Sequence, residues 1–561
     1  MGRKVVIVGG VAAGASAATH ARRLDEQAEI VMFERSGYVS FANCGLPYYI
    51  GEVVADRQAL LAMTPEQFEK RFRIRAHIRH EVIRIDREAH QVEVRNLKSG
   101  RVFWESYDKL ILTPGARPIV PPDVPMDAEN VFTLRTFEDM DRIRAFVDRQ
   151  ETKNALLIGG GFIGVELAET LTQRGVQVTM VEKGQQLLSP FDPDMAGFVS
   201  HELQKNGVTV RFGVTASEYH LGGGGVCEVG FDDGSVMATD LLILSIGVRP
   251  NVSLASEAGL TLGPRGGIAI DAHMQTSDTD ILAAGDAVEV MHAVTGEPSL
   301  VPLAGPASRM GRLAGEFAVT DRLPLAPTVT GTAIVKAFNV TAAITGLTVK
   351  AARRSQIPFE TAIVQRPNHV AWYPGATAMT IKLLYTPKTG ELLGAQIVGG
   401  AGVDRRIDVI ATALHFGGTI DDLGRLDLAY APQFGAAKDP VHMAAFVAQN
   451  QECGLVRHLH PEELAWFSDK GGQLVDVRTA AEHADGTISG SVHIPVDDLR
   501  DRLGELDRAA PILVYCKSGQ RAYAAVRILA GAGFENVASL AGGYDFYAEA
   551  TEPGRLEVVG T

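Results

Sequence analysis

Cysteine is scarce in this chain. Four residues, Cys44, Cys227, Cys453 and Cys516, are scattered over 561 positions, and no two form a CxxC pair. That excludes a disulfide scaffold and leaves each thiol to be read as inert or reactive on its own context. Basic residues are outnumbered, 53 Lys and Arg against 67 Asp and Glu, for a net charge of −14. A nucleic-acid binder carries the opposite balance, so no nucleic-acid partner is expected. No apolar run approaches the ~18 residues needed to cross a bilayer. The N-terminus enters a strand at Lys4–Val8 without a signal-peptide pattern, so a cytoplasmic protein with no membrane span is expected. No His, Cys, Asp or Glu spacing matches a metal site. A hydrophobic content of 46% and a charged fraction of 21% are globular values, and the length suggests three or four domains.

What is present is a repeated nucleotide-binding pattern. Lys4–Val8 is a β-branched run that reads as a buried parallel strand. Gly9-Gly10-Val11-Ala12-Ala13-Gly14 follows, then an alanine-rich helix over Ala15–Leu24 and a strand over Glu29–Phe33 that ends in Glu34. A glycine-rich turn at a helix start seats a pyrophosphate on backbone N–H groups, and an acid about 20 residues on bonds a ribose hydroxyl. Glu34 lies at that spacing from Gly14, although Val11 stands where the middle glycine is expected. The unit recurs: Ala155–Ile158, then Gly159, Gly161 and Gly164 in a complete GxGxxG, a helix through Gln173, and Gln177–Val181 followed by Glu182. Two fingerprints in the same strand–turn–helix context predict two dinucleotides. Two further strands end in small-residue turns, one at Thr113-Pro114-Gly115 and one at Gly285-Asp286. An acid after a tight glycine accepts hydrogen bonds from a ligand polyol or caps a helix.

On these motifs the chain resembles the pyridine nucleotide–disulfide oxidoreductase superfamily over about residues 1–445. Ser40-Phe41-Ala42-Asn43-Cys44-Gly45-Leu46-Pro47 is similar to its single-cysteine branch of coenzyme A-disulfide reductases, NADH oxidases and peroxidases. The resemblance implies FAD at the first fingerprint, held by Gly9, Gly14, Glu34, Arg35, Asn43, Thr113, Gly115 and Asp286, with Cys44 beside the flavin. It implies a pyridine nucleotide at Gly159, Gly161, Gly164 and Glu182. A carboxylate at Glu182 repels a 2′-phosphate, so NADH is favoured over NADPH, with Lys183 beside it as the opposing feature. The implied domains are a split FAD-binding domain (1–116 and 243–325), an NADH-binding domain (117–242) and an α+β dimerisation domain (326–445), with strands near 332–338, 380–385 and 392–398 and a helix over 404–416. In that family the partner subunit completes the active site, which assigns Tyr430 and Lys438 to the other subunit of a homodimer. A second family tyrosine falls by spacing on Trp372, with Tyr373 next to it as the candidate phenol.

The first glycine turn has no histidine, unlike the peroxidases and oxidases, and this favours the coenzyme A branch. That branch implies a coenzyme A site at Ser16, His20, Arg23, Ser40 and Asn43, with Lys438 from the partner. A basic residue expected at Phe72 is missing, although Arg71 and Arg73 flank it.

After a linker at 446–457 the pattern changes. Strands read over Gln473–Arg478, Gly490–Pro495 and Pro511–Tyr515, and the last opens into Cys516-Lys517-Ser518-Gly519-Gln520-Arg521 before a helix over Ala522–Ala530. A cysteine opening a loop at a helix N-terminus faces converging N–H groups and the positive end of a helix dipole, surroundings that stabilise a thiolate. The segment 458–555 resembles a single rhodanese domain, with Cys516 as sulfur carrier and Arg521 as a substrate-binding residue. Cys227, in an expected hairpin, and Cys453, in the linker, read as incidental.

The expected class is therefore α/β: two Rossmann-like dinucleotide-binding domains, an α+β dimerisation domain and an α/β rhodanese domain. A single cysteine without a CxxC partner stores oxidation as a mixed disulfide, a persulfide or a sulfenic acid. A sulfur-carrying domain fused to a sulfur-reducing one favours persulfides or polysulfides, such as coenzyme A persulfide, as substrates: R–S–SH + NADH + H⁺ → R–SH + H₂S + NAD⁺. A flexible tether between the two sites raises the local carrier concentration to about the millimolar range. The alternatives are a coenzyme A-disulfide reductase that maintains thiol redox state and, in another class, a redox sensor or sulfur-relay protein.

Overall fold

The computed structural model describes residues 2–149, 152–222, 225–320, 322 and 328–551. The expected boundary between FAD-binding and dimerisation segments at 325/326, and the last four residues of the expected rhodanese segment, lie outside these. The chain divides into two compact units, Met1–Gly184 with Leu203–Gly331, and Gln185–Glu202 with Thr332–Thr561. Both dinucleotide-binding patterns fall in the first unit.

The first unit holds two parallel five-stranded sheets built to one plan. One runs in the order Ile281–Ala283, Lys109–Leu112, Lys4–Val8, Glu29–Glu34, Ile74–Ile78. The other runs Thr209–Phe212, Gln177–Glu182, Asn154–Ile158, Leu241–Leu244, Val131–Thr133. Val5, Val6 and Ile7 are fully buried, as are Leu156 and Leu157, because each sheet is covered by helices and by an antiparallel sheet, which brings Val82, Val92 and Val94 into the first core and Val226, Val229 and Phe231 into the second. The edge strand Ile281–Ala283 joins the first sheet only after the chain has built the second. An antiparallel pair, Ala116–Pro118 with Val248–Pro250, brackets that excursion. The hairpin expected around Cys227 forms between Ala216–Gly222 and Gly225–Phe231, and Cys227 is exposed on it.

The second unit contains an antiparallel sheet ordered Ala333–Ala337, Val340–Gly346, Leu392–Gly399, Ala378–Tyr385, Glu360–Pro367. Helix Val403–His415 packs against it. The strand Glu360–Pro367 was not legible in the sequence, since its edge position mixes buried Ala362–Val364 with polar ends. Lys382 on a central strand is buried and held by Asp192 at 3.0 Å and Asp194 at 2.7 Å, and Gln396 Nε2 donates to Asp192. A buried ammonium needs such partners, and here they attach the segment 185–202 to the sheet.

The expected linker is a correction. Helix Pro440–Glu452, capped by Asp439 Oδ1 accepting from Val441 N, runs through most of it, and Ala444, Ala445 and Ala448 are buried against Glu360–Pro367. Alanines and Val441 supply the packing face while the larger Met443, Phe446 and Val447 stay half-buried, so the large apolar residues do not mark the buried face in sequence. The flexible tether is corrected with it. The C-terminal module is docked within this unit by Thr361 Oγ1 with His460 Nε2 (2.8 Å), by Arg366 donating to Gln520 Oε1 (2.9 Å), and by Phe198 against Phe546. That module is a parallel sheet ordered His458–Leu459, Val537–Leu540, Ile512–Tyr515, Gln473–Asp476, Val492–His493. The strand expected over 490–495 shortens to two residues. Among the described residues no helix is long and apolar enough to cross a membrane.

Candidate functional site

Cys44 lies in a one-turn 3-10 segment, Asn43–Gly45, that leads into the short helix Leu46–Ile50, and it is exposed. The loop is stitched to the first glycine turn, because Ser40 N donates to Gly10 O at 2.8 Å. Ser40 itself holds a left-handed φ of 48°, a conformation that costs free energy and persists because Ala62 N also bonds Ser40 O. Thus the backbone brings Ser40, Asn43 and Cys44 beside the turn that the fingerprint predicts for a dinucleotide.

Both turns have the same internal chemistry. Gly9 (φ 96°) and Gly159 (φ 106°) adopt backbone open to glycine, and a Cβ on Gly14 or Gly164 would strike the carbonyl of Gly9 or Gly159. Glu34 accepts from Gly10 N and Ser36 N, each at 2.8 Å, and Glu182 accepts from Gly160 N and Gly184 N, each at 2.7 Å. Each carboxylate is thereby aimed across its turn with lone pairs to spare. Thr113 Oγ1 donates to Val8 O and Gly9 O, and Ser245 Oγ does the same for Ile158 O and Gly159 O. Thr113 therefore braces the turn through its hydroxyl, and Ser245 is its unforeseen counterpart. A repeat of one small hydroxyl residue after a strand is too weak a signal to find in sequence. Gly115 has φ 66°, Arg35 is exposed, and Asp286 pairs with Arg135 at 2.6 Å.

The helices that follow, Ala12–Leu24 and Phe162–Gln173, have no side-chain cap and no acid in the first turn. Helices starting after Thr64, Thr136, Thr348, Thr419 and Thr479 are all capped by those side chains. Uncapped N–H groups above a glycine cradle suit a phosphate. Helices Ala304–Val319 and Val403–His415 are uncapped as well, so it is the glycine cradle and facing carboxylate at each turn, together with the open N–H groups, that fit two dinucleotides.

Of the remaining candidates in this unit, Ser16 Oγ donates to Ala12 O, and exposed Arg23 lies over the Phe72 ring at 5.3 Å. Phe72 thus supports an arginine where a basic residue was expected. His20, expected at the same site, lies within the helix packing. It is only 6% exposed, with Nδ1 at 3.1 Å from Arg312 Nη1, because its helix packs closely on Ala304–Val319. Burial and Arg312 lower its pKa, which keeps the imidazole neutral.

Two groups near Cys44 were missed. Tyr48, one turn after it, donates its hydroxyl to Glu166 Oε1 at 3.0 Å on the helix of the second fingerprint. Burial pushes Glu166 up to about 6 despite that bond, and burial followed by the Glu166 charge raises Tyr48. Arg174 and Arg144 add bonds to the carbonyls of Ile50 and Tyr49. The helix after the thiol is therefore fastened to the second nucleotide helix by residues far apart in sequence.

In the second unit, Tyr430 and Trp372 are exposed (49% and 73%), Lys438 is exposed and Tyr373 half-buried. Arg406, 2% exposed, ties their loops together. It donates to Asn368 O at 2.6 Å and Phe434 O at 3.4 Å and pairs with Asp439 at 2.9 Å, while Val370 N bonds Gly435 O. The segment of Trp372 and Tyr373 and the segment of Tyr430 and Lys438 are thus one preformed surface.

Cys516 closes strand Ile512–Tyr515 and is 1% exposed. Gly519 N donates to its Sγ at 3.2 Å, and Tyr544 N and Asp545 N bond the carbonyls of Cys516 and Lys517. A Cβ on Gly543 would meet those same carbonyls, so glycine is required where the last helix crosses the loop. Arg521, expected as a substrate-binding residue, is held by a carboxylate. Both its Nη atoms donate to Glu482 at 2.7 Å. The loop can stabilise a terminal sulfur through its N–H groups and a cation.

Comparison with known proteins agrees with this geometry. The family model for pyridine nucleotide-disulphide oxidoreductases matches residues 3–307, its dimerisation domain 332–440, and the rhodanese-like domain 460–550. The coenzyme A disulfide reductase of Staphylococcus epidermidis is 34% identical over 446 residues, 80% of this chain and 100% of that protein. The solved structure of reduced Bacillus anthracis CoADR-RHD is 43% identical, covers 98% of both chains and superposes with a TM-score of 0.95. That of an NAD-dependent persulfide reductase from A. fulgidus is 35% identical, covering 97% of this chain and 99% of that one, with a TM-score of 0.91. With a family match over more than half its length and relatives that align across nearly all of it, the chain belongs to the pyridine nucleotide-disulphide oxidoreductases, a family that implies FAD and NAD(P)H, extended here by a rhodanese-like domain.

Proposed function

We propose that the protein reduces persulfides or polysulfides with NADH and releases sulfide. The observation that carries this reading is the fusion: a rhodanese-like module with a loop cysteine stands on the same chain as a reductase whose Cys44 is exposed on its loop and has no CxxC partner. The whole-length likeness to a protein described as an NAD-dependent persulfide reductase supports it.

The first turn and Glu34 hold FAD, and the second turn and Glu182 hold NADH. Bound FAD supplies two-electron transfer between a nicotinamide hydride and sulfur. Cys44 takes up the sulfur of the substrate as a mixed disulfide or persulfide, and Asn43 and Ser40 shape its loop. Arg23 on its Phe72 support and Lys438 of a second copy bind phosphates of a coenzyme A carrier, with Ser16 lining the path. Tyr430 and Tyr373 form the wall contributed by a second copy, so activity requires a homodimer. Sedimentation at assay concentration checks this, and a fully active monomer removes the assignment.

A coenzyme A-disulfide reductase is the second reading, favoured by relatives such as that of Staphylococcus epidermidis. Anaerobic NADH oxidation with coenzyme A persulfide, coenzyme A disulfide and peroxide side by side, with sulfide measured, separates the two. Sulfide formed in step with NADH from the persulfide supports the first, and faster turnover of the disulfide without sulfide supports the second. No turnover with any substrate leaves the sulfur-relay alternative.

A further inference from the structure

The surroundings of Cys516 bear on which sulfur donors it accepts. Three cations border the loop: Lys517, which is exposed, Arg521, and Arg366, whose Nη1 donates to Gln520 Oε1 at 2.9 Å. Two carboxyl groups oppose them. Glu482, on the short helix Ala480–Ala484, takes both Nη atoms of Arg521 at 2.7 Å. Asp545 packs on the loop from the last helix, its backbone N–H on Lys517 O at 3.1 Å. The other charged groups close by are already spoken for: Arg478 pairs with Asp476 at 2.7 Å, and His483 Nδ1 also meets Asp476, at 2.8 Å. The cationic fork that would meet an oxyanion is thus engaged by a carboxylate before any donor arrives. The hydrogen bonds from Arg521, ahead of all other causes, draw Glu482 down to about 2, so the pair is ionised throughout the neutral range. Glu482 is also fixed from its own side, accepting from Thr479 N at 2.9 Å, so it does not swing away at small cost.

We infer that Glu482 sets the donor preference of the Cys516 loop. By neutralising Arg521 it disfavours donors that must place an oxyanion head on the loop, as thiosulfate does, and it leaves the loop open to thiol persulfides, which need present only a sulfur. Glu482 acts through Arg521 and is a positioning residue that determines specificity. The inference rests on the reading of Cys516 as sulfur carrier and requires nothing of Cys44. In the step concerned, the Cys516 thiolate attacks the outer sulfur of the donor and a new S–S bond forms. With thiosulfate the old S–S bond breaks to release sulfite with its electron pair, and with a persulfide it releases the thiolate with that pair, which takes up the proton carried by the outer sulfur. Cyanide then takes the outer sulfur as thiocyanate and returns the thiolate.

The test uses the full-length protein with thiosulfate and glutathione persulfide as donors, cyanide as acceptor and thiocyanate as the measured product. Glu482→Gln keeps an acceptor for Thr479 N and removes the charge. The expected result is a rise of roughly fivefold in kcat/KM for thiosulfate, the size of one lost exposed charge pair, with the persulfide value changed by less than about twofold. An unchanged ratio, or an equal fall with both donors, overturns the inference, since a structural role would lower both. The wild-type protein gives an independent reading if the variant does not fold. With the fork already neutralised, kcat/KM for thiosulfate should not fall as ionic strength rises, relative to the persulfide. A steep fall shows that the loop attracts the dianion and overturns the inference as well. No thiocyanate from either donor would instead reject the sulfur-carrier reading of Cys516.

Discussion

The loops of Cys44 and Cys516 hold their thiols in opposite ways. Cys44 is exposed, on a loop whose shape comes from a left-handed Ser40 bonded to the first glycine turn. Cys516 is buried at a strand end, under a glycine crossing, with a backbone N–H on its sulfur. The difference suits two tasks. A thiol that must meet a bulky carrier and a bound cofactor needs open surroundings. One that stores a single sulfur atom needs a close-fitting cradle that excludes larger reactants. The carboxyl groups beside them differ as well. Glu166 is held by a neutral phenol and is pushed up by burial, whereas Glu482 is held by a guanidinium and is drawn down.

The largest expected effect breaks the first half of this comparison alone. Cys44→Ser should lower NADH-dependent persulfide reduction by about a thousandfold or more, because serine is a far poorer nucleophile at neutral pH. Its flavin absorbance and thiosulfate:cyanide activity should remain. Full reductase activity in this variant would place the chemistry on another residue. Cys516→Ser is the mirror experiment. Sulfur transfer to cyanide should vanish, while reduction of a small persulfide that reaches Cys44 directly should stay within about twofold of wild type. Equal loss of both activities in both variants would show an obligatory relay in place of two separate sites.

Nucleotide choice sharpens the comparison by acting on one loop only. With Glu182 across the second turn, kcat/KM for reduction should favour NADH over NADPH by about tenfold or more, and sulfur transfer through Cys516 should not depend on either nucleotide. Equal use of NADPH would mean that Lys183 compensates for the carboxylate.

The smallest effects are pH slopes of opposite sign. Glu166 has a folded pKa raised to about 6, so its contribution is present below its ordinary value near 4.5 and is lost as pH rises through 6. Relative to Glu166→Gln, wild type should lose about 1–2 kcal/mol between pH 4.5 and 7. Glu482 has a depressed pKa, so its contribution is present above about 4.5 and is lost as pH falls toward 2. Its pair with Arg521 is about a third exposed, so the loss relative to Glu482→Gln should stay below about 1 kcal/mol. Denaturant midpoints of the two variants and wild type across pH measure both slopes, and slopes of the same sign would contradict the assigned surroundings.

Local patterns were legible because they rest on local rules. The two glycine turns, their acids and the strands leading into them were readable as period, spacing and backbone permission, and the structure places Glu34 and Glu182 across matching turns. The loop from Cys516 to Arg521 was readable for the same reason. What failed was packing on small residues: Pro440–Glu452 buries Ala444, Ala445 and Ala448 beside Val441 while its larger Met443, Phe446 and Val447 stay half-buried, so its second half looked like a linker and a docked module looked tethered.

The sequence by itself determined two dinucleotide turns, one thiol without a CxxC partner and a second thiol opening a helix, because each of these is written within a few consecutive residues. Only the tertiary structure decided that Tyr48 meets Glu166, that Glu482 occupies Arg521, that Arg406 binds two aromatic loops into one surface and that Cys516 is buried while Cys44 is not. Those contacts join residues between 28 and 118 positions apart. No local periodicity specifies such a pair, since burial and charge pairing are settled only when the sheets and helices have packed.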